Sequence, residues 1–120
     1  MSSSLSNEAT LAVIIVTYNS EDDIQTCLNS LHAAHDPAQT SVYVIDNAST
    51  DASVASAQTL RGELSFRELS VFKNSINLGF TAAVNQGLEQ ARSSDFVLFL
   101  NPDTEIPPRL VAQLIEILQD

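Results

Sequence analysis

The run Leu11-Ala-Val-Ile-Ile-Val-Thr17 constrains the fold more than any other stretch. It is apolar throughout and rich in β-branched side chains, so it does not alternate a wet face with a dry one. Such a run reads as a strand covered on both sides, the setting of a parallel sheet flanked by helices. Similar runs recur at Ser41–Asp46 (SVYVID) and Phe96–Leu100 (FVLFL), with a weaker one at Leu69–Lys73. Helical spacing fills the intervals. Ser20 is expected to cap a helix, with Glu21, Asp22 and Asp23 in its first turn. Ile24, Leu28 and Leu31 then follow at helical spacing until Asp36-Pro37. Asn47–Asp51 is turn chemistry, and Thr50 or Asp51 is suited to cap a helix that runs to about Arg61. Thr81–Arg92 sets Ala83, Val84, Gly87, Leu88 and Ala91 on one face. Pro107 and Pro108 open a last helix, in which Leu110, Leu114 and Leu118 repeat at i, i+4 and i+8. Strand and helix alternate four times, which predicts an α/β fold. Its mostly parallel sheet is joined by right-handed crossovers and lies between helices on both faces.

The 120 residues suffice for one domain, expected over residues 11–120 after a loose, polar stretch at residues 1–10. No segment reads as a signal peptide or a membrane span. The lone Cys27 has no internal disulfide partner and falls at a buried helix position, which suits a reducing cytoplasm. Fifteen acidic residues against five basic ones give a net charge of -10, with Lys73 the only lysine. A chain so charged repels a polynucleotide backbone, which excludes nucleic acid as a partner. It also means that a phosphate-bearing ligand would need a metal ion for most of its counter-charge.

Ligands of such sheets lie beyond the carboxyl ends of the strands. There the sequence places Thr17-Tyr18-Asn19, Asp46-Asn47-Ala48-Ser49-Thr50-Asp51, Asn74 with Asn77-Leu78-Gly79, and Asn101-Pro102-Asp103. Each cluster alone is ordinary turn chemistry. Gathered on one edge of one sheet, they outline a site. The three glycines form neither GxGxxG nor a P-loop, which disfavours a dinucleotide fold or P-loop NTPase. No Ser-His-Asp or Cys-His arrangement is present, and His32 and His35 read as a solvated pair favoured by a helix dipole. Carboxylates remain. Asp46 is placed to accept a hydrogen bond from the ring N–H of a base such as uracil or thymine, with Tyr18 stacked on that base. Asp103 is suited to hold Mg²⁺ or Mn²⁺, which take oxygen ligands and bridge phosphates.

The segments VIIVTYNSEDDIQTCLNSL, VYVIDNASTD, NLGFTAAVNQGLEQA and VLFLNPDTEI, in that order, resemble the nucleotide-sugar-binding part of glycosyltransferase family 2, whose enzymes have the GT-A fold. The resemblance runs from Val13 to about Thr104. It implies that Thr17 and Tyr18, beside Asn19, line a base pocket, that Asp46 reads a pyrimidine, and that Asn47 and Asp51 support its loop. Asn77, Gly79 and Asn85 would lie near ribose and diphosphate. Asp103 would be the last acid of the family's DxD metal motif, with Asn101 in place of the first. The LNPDT form is most similar to bacterial rhamnosyl- and galactofuranosyltransferases of cell-surface polysaccharides. The implied partners are a UDP- or dTDP-sugar and a glycan or lipid-linked acceptor, with a homo-oligomer also open. The implied place is the cytoplasm, peripheral at the inner face of the membrane.

Two departures qualify what the resemblance implies. Asn101 removes one charged metal ligand. Family members also carry the acceptor site and catalytic base well beyond DxD, whereas this sequence ends at Asp120. Glu105, Glu116 and Asp120 are poor candidates for that base, so no catalytic residue is assigned here. The sequence reads as a donor-binding part cut from a longer inverting enzyme and inactive in transfer alone. An inactive nucleotide-binding or interaction module of the same fold is the alternative. A dehalogenase-like phosphatase would need Asp where Asn101 stands, and a receiver domain would need an acidic pair where Thr17-Tyr18-Asn19 stands.

Overall fold

The computed structural model describes residues 9–119. The loose stretch expected at residues 1–10 lies largely outside the described residues, as does Asp120. Four strands, β1 (Leu11–Thr17), β2 (Thr40–Asp46), β3 (Glu68–Lys73) and β4 (Phe96–Leu100), form one parallel sheet in the order β3-β2-β1-β4. The helices are α1 (Ile24–Ala34), α2 (Ser53–Arg61), α3 (Phe80–Gln90) and α4 (Leu110–Gln119), with a 3₁₀ turn at Pro37–Gln39. The α/β architecture expected from the apolar runs is the one formed. Its chain steps outward from β1 to β3, then returns to lay β4 on the other side of β1. That reversal opens a crevice at the carboxyl ends of β1 and β4, where such sheets bind ligands.

β1 is central and its residues Leu11–Ile15 are buried. Val13 and Ile15 point into the larger core with Val42 and Val44. Ile24, Leu28 and Leu31 of α1, Ala57 and Leu60 of α2, and Val111 and Ile115 of α4 complete it. Ala12, Ile14 and Tyr43 point to the opposite face, where α3 packs. Close approach of α3 depends on Gly87, because a Cβ there would stand 2.5 Å from Ile14 Cγ2.

Several local readings of the sequence are corrected. Ser20 does not cap α1 through its side chain. Its carbonyl instead accepts from the Asp23 and Ile24 N–H groups, and residues 21–23 form a turn ahead of the helix. The Leu110, Leu114 and Leu118 stripe of α4 is 40%, 45% and 68% exposed, whereas Val111 and Ile115 enter the core. α4 is apolar around most of its girth, so spacing alone did not select the docked face. On α3, Leu88 is exposed while Ala83 and Gly87 are buried. His35 is not solvated: it is buried and, among the described residues, its Nε2 has no hydrogen-bond partner. His32 meets Ser65 and stacks edge-on against Phe66. Among the described residues, no helix is long and apolar enough to cross a membrane.

Candidate functional site

The parallel register sets Thr17, last in β1, beside Asp46, last in β2. Both are only 1% exposed, so their polar atoms need partners within the chain. Thr17 Oγ1 donates to Asp46 Oδ1 at 2.7 Å and the Ser49 hydroxyl to the same oxygen at 2.6 Å. The Ser49 N–H donates to Oδ2 at 2.9 Å. The carboxylate thus folds residues 47–49 back over the strand end, with Ala48 left-handed at φ 62°. One acceptor position on Oδ2 stays open, since a carboxylate oxygen has two lone pairs.

Asn19, also left-handed at φ 51°, ties the first loop to the second. Its Oδ1 accepts from the Thr50 N–H at 2.8 Å, and its own N–H donates to Ser49 Oγ at 2.8 Å. Asp51 does not cap α2, whose N-cap is Ala52 without a side-chain cap bond; it stands one residue earlier, where Oδ1 accepts from the N–H and hydroxyl of Ser53 and Oδ2 accepts from the Glu21 N–H. Burial pushes the Asp51 carboxyl up, but the donors from Ser53 and Glu21 outweigh it and hold the group below its ordinary value. Glu21 returns the contact by accepting from the Ala52 N–H at 3.1 Å.

Asn47, buried one residue beyond β2, governs the third loop. Its Oδ1 accepts from the Leu78 N–H at 3.3 Å and from Asn74 Nδ2 at 3.0 Å, and its Nδ2 donates to the Gly79 carbonyl at 3.0 Å. Gly79 stands at φ 87° and ψ 166°, a region essentially confined to glycine, and α3 starts immediately after it.

The loop after β4 lies on α1. Ser30 Oγ accepts from the Ile106 N–H at 2.9 Å, and Cys27 Sγ lies 3.7 Å from the Asn101 carbonyl. Burial raises the Cys27 thiol to about 12, with help from the negative charges of Asp103 and Asp23. Asp103 is therefore within electrostatic reach of α1, and both it and Asn101 are exposed. Among the described residues, no three His, Cys, Asp or Glu side chains gather to hold a metal. One exposed carboxylate and one amide oxygen do fit the way Mg²⁺ or Mn²⁺ binds with phosphates: one or two protein oxygens, the remainder from substrate and water.

A cavity of about 380 Å³ opens at the crevice, lined by Val16, Tyr18, Ser20, Asn47, Asn77, Gly79, Phe80 and Pro102. A second, of about 170 Å³, shares Val16 and Phe80 and extends to Phe99, Asn101 and Thr104. Of the residues singled out in sequence, Tyr18, Asn47, Asn77 and Gly79 meet in the larger cavity and Asn101 borders the smaller. Thr17 and Asp46, the last residues of β1 and β2, and Asn19 and Asp51 in the loops that follow line neither cavity. Asn85 is exposed on α3, and neither it nor Asp103 lines either cavity. Sequence reasoning missed Gln86, Ser53 and Phe80. Ser53 and Gln86 matter through partners 33 and 12 positions away, which no local pattern reveals, whereas Phe80 beside a loop glycine was a readable signal.

Residues 12–120 match the family described as Glycosyl transferase family 2. A dolichol-phosphate mannosyltransferase of Pyrococcus furiosus is 26% identical over 110 residues, covering 92% of this chain and 30% of that protein. The uncharacterized glycosyltransferase YibD of Escherichia coli is 32% identical over 105 residues, covering 88% and 29%. Among solved structures, S. aureus TarS 1-349 in complex with UDP-GlcNAc superposes with a TM-score of 0.80 at 30% identity, over 92% of this chain and 31% of that one. A Pyrobaculum calidifontis mannosyltransferase in complex with GDP-Man and Mn²⁺ superposes with a TM-score of 0.80 at 23% identity, over 92% and 32%, and bears on the fold alone. The chain thus spans about 30% of the length of the curated relatives that it matches. With the GT-A-like sheet and the family match in agreement, this chain belongs to glycosyltransferase family 2.

Proposed function

We propose that this chain is the donor-binding part of a hexosyltransferase. It takes a UDP- or dTDP-sugar, and the enzyme passes the sugar with inversion to a glycan or lipid-linked acceptor in surface-polysaccharide synthesis. The observation that carries the reading is the cavity of about 380 Å³ at the ends of β1 and β2, joining Tyr18, Asn47, Asn77 and Gly79. Its volume falls in the range of small-molecule sites. Tyr18 is 54% exposed, leaving its ring free to stack on a base. The open lone pair of Asp46 Oδ2 is the acceptor for a pyrimidine N–H, which must displace Ser49 to reach so buried an atom. Asn77 and Gly79 flank ribose and diphosphate, and the uncapped N–H groups opening α3 favour the anion. Asn85 lies further along the same helix. Thr17, Asn19 and Asp51 hold the base-side loops in place. Asp103, with the Asn101 amide oxygen, would hold a divalent cation, which would supply positive charge to the diphosphate.

The lipid-linked acceptor draws on the name of the Pyrococcus relative, and the rhamnosyl- or galactofuranosyl-type donor on LNPDT alone. Among the described residues no carboxylate lines either cavity, so we assign no base to this chain and expect no transfer from it alone. That same observation favours the second reading, an inactive binding module of the same fold. Calorimetric titration with UDP, dTDP and GDP, with and without Mn²⁺, tests the site. A pyrimidine nucleotide is expected to bind, more tightly with Mn²⁺. The Tyr18→Ala variant should lose about tenfold in affinity, since stacking a base on an aromatic ring contributes about 1–3 kcal/mol, with Tm unchanged. Equal and negligible heats for every nucleotide would overturn the donor-site reading, and preference for GDP would overturn the pyrimidine assignment.

A further inference from the structure

The loop from Ser75 to Gly79 forms one wall of the larger cavity, yet hydrophobic packing does little to hold it. Its apolar side chains, Ile76 and Leu78, are 64% and 45% exposed. What fixes it is a relay of three side-chain amides. Gln86, midway along α3, and Asn74, just beyond β3, exchange reciprocal hydrogen bonds: Asn74 Nδ2 donates to Gln86 Oε1 and Gln86 Nε2 to Asn74 Oδ1, each at 2.8 Å. The other Asn74 Nδ2 proton goes to Asn47 Oδ1, and the Asn74 N–H donates to the Asp46 carbonyl at 2.8 Å. Both donors and the acceptor of the Asn74 amide are therefore committed, and its orientation is set. With Asn74 donating, Asn47 must present its oxygen to the Leu78 N–H and its nitrogen to the Gly79 carbonyl. The ring closes on itself, since Gly79 leads directly into the helix that bears Gln86.

We propose that Asn74 and Gln86 are positioning residues whose paired amides fix Asn47, and through it the Leu78–Gly79 backbone against which the nucleotide lies. The inference rests on the donor-site reading for its effect on binding. The ordering of the loop is independent of it. A site wall built in advance binds tighter because less ordering is lost on binding.

Gln86→Met keeps the volume and removes the reciprocal pair, and Asn74→Ala removes the centre of the relay. Hydrogen exchange on the free protein is expected to show the Leu78 amide losing protection about fivefold or more in both variants, as for one lost hydrogen bond. The amides of Ile14 and Val44 should keep theirs. In titrations with UDP and dTDP, Kd should rise about threefold to tenfold in both variants, with Tm close to that of the unsubstituted protein. If the unsubstituted protein binds no nucleotide, the donor-site reading fails and the exchange experiment alone decides the relay. Unchanged Leu78 protection overturns the inference. So does loss of protection shared equally by Ile14 and Val44, which is general destabilisation, or unchanged Kd despite a loosened loop.

Discussion

Cys27 lies under the loop that carries Asn101 and Asp103, in the buried face of α1. Burial, then the charges of Asp103 and Asp23, raise its thiol to about 12, so almost no thiolate forms at neutral pH. Iodoacetamide at pH 8 is expected to leave the native protein unlabelled and to alkylate it fully in denaturant. Rapid native labelling would mean that the loop above Cys27 opens. The sign of the shift also sets a pH limit. The folded state holds this proton more tightly than the unfolded one, so stability is kept below pH 9.0 and falls as pH rises toward 12. Single residues were legible where their chemistry follows from position. Asp46 was legible because it closes an apolar strand, and Asp51 because it lies in the turn that follows, although the N-cap position falls to Ala52. Their partners were not legible, because a serine hydroxyl such as that of Ser49 or Ser53 declares its acceptor only once the chain is folded. The two reciprocal amides of Asn74 and Gln86 were hidden for the same reason.

At the scale of elements, α3 lies close against β1. Its Gly87 faces Ile14 so closely that any side chain must push the helix or rotate the isoleucine. Gly87→Ala is expected to destabilise the domain by about 1–3 kcal/mol in urea unfolding monitored by circular dichroism, and a neutral effect would show that Ile14 repacks freely. The strands were legible to within a residue, since runs such as LAVIIVT admit a single interpretation when buried on both sides. α4 was not, because the docked pair Val111 and Ile115 stands beside an equally apolar leucine stripe. What separates them is which side meets α1 and the sheet, a fact of tertiary geometry. Ser20 misled for a related reason: three acidic residues after a serine look like a first helical turn, but here they form the turn that brings Glu21 to Asp51 and Ala52.

The molecule as a whole is lopsided. Among the described residues, three helices cover one face of the sheet and α3 alone covers the other, over β1 and β2. β4 is an edge strand of the sheet by strand order, and on the less covered face its Val97 and Phe99 are 39% and 50% exposed. An open parallel edge beside apolar side chains invites pairing with another chain. Sedimentation velocity should show association that grows with concentration and is abolished by Phe99→Lys, and a single monomeric species at every concentration would contradict this. The same arrangement governs how the fold is acquired. β1 pairs on one side with a strand about thirty positions away and on the other with β4, where Thr10 and Asp95 exchange hydrogen bonds across 85 positions. During synthesis β1 emerges before β4, so its second flank stays bare until β4 has left the ribosome. A chain whose synthesis was cut short within α3 would carry its central strand with one edge unpaired, so for this domain the β1–β4 seam is also a safeguard against aggregation.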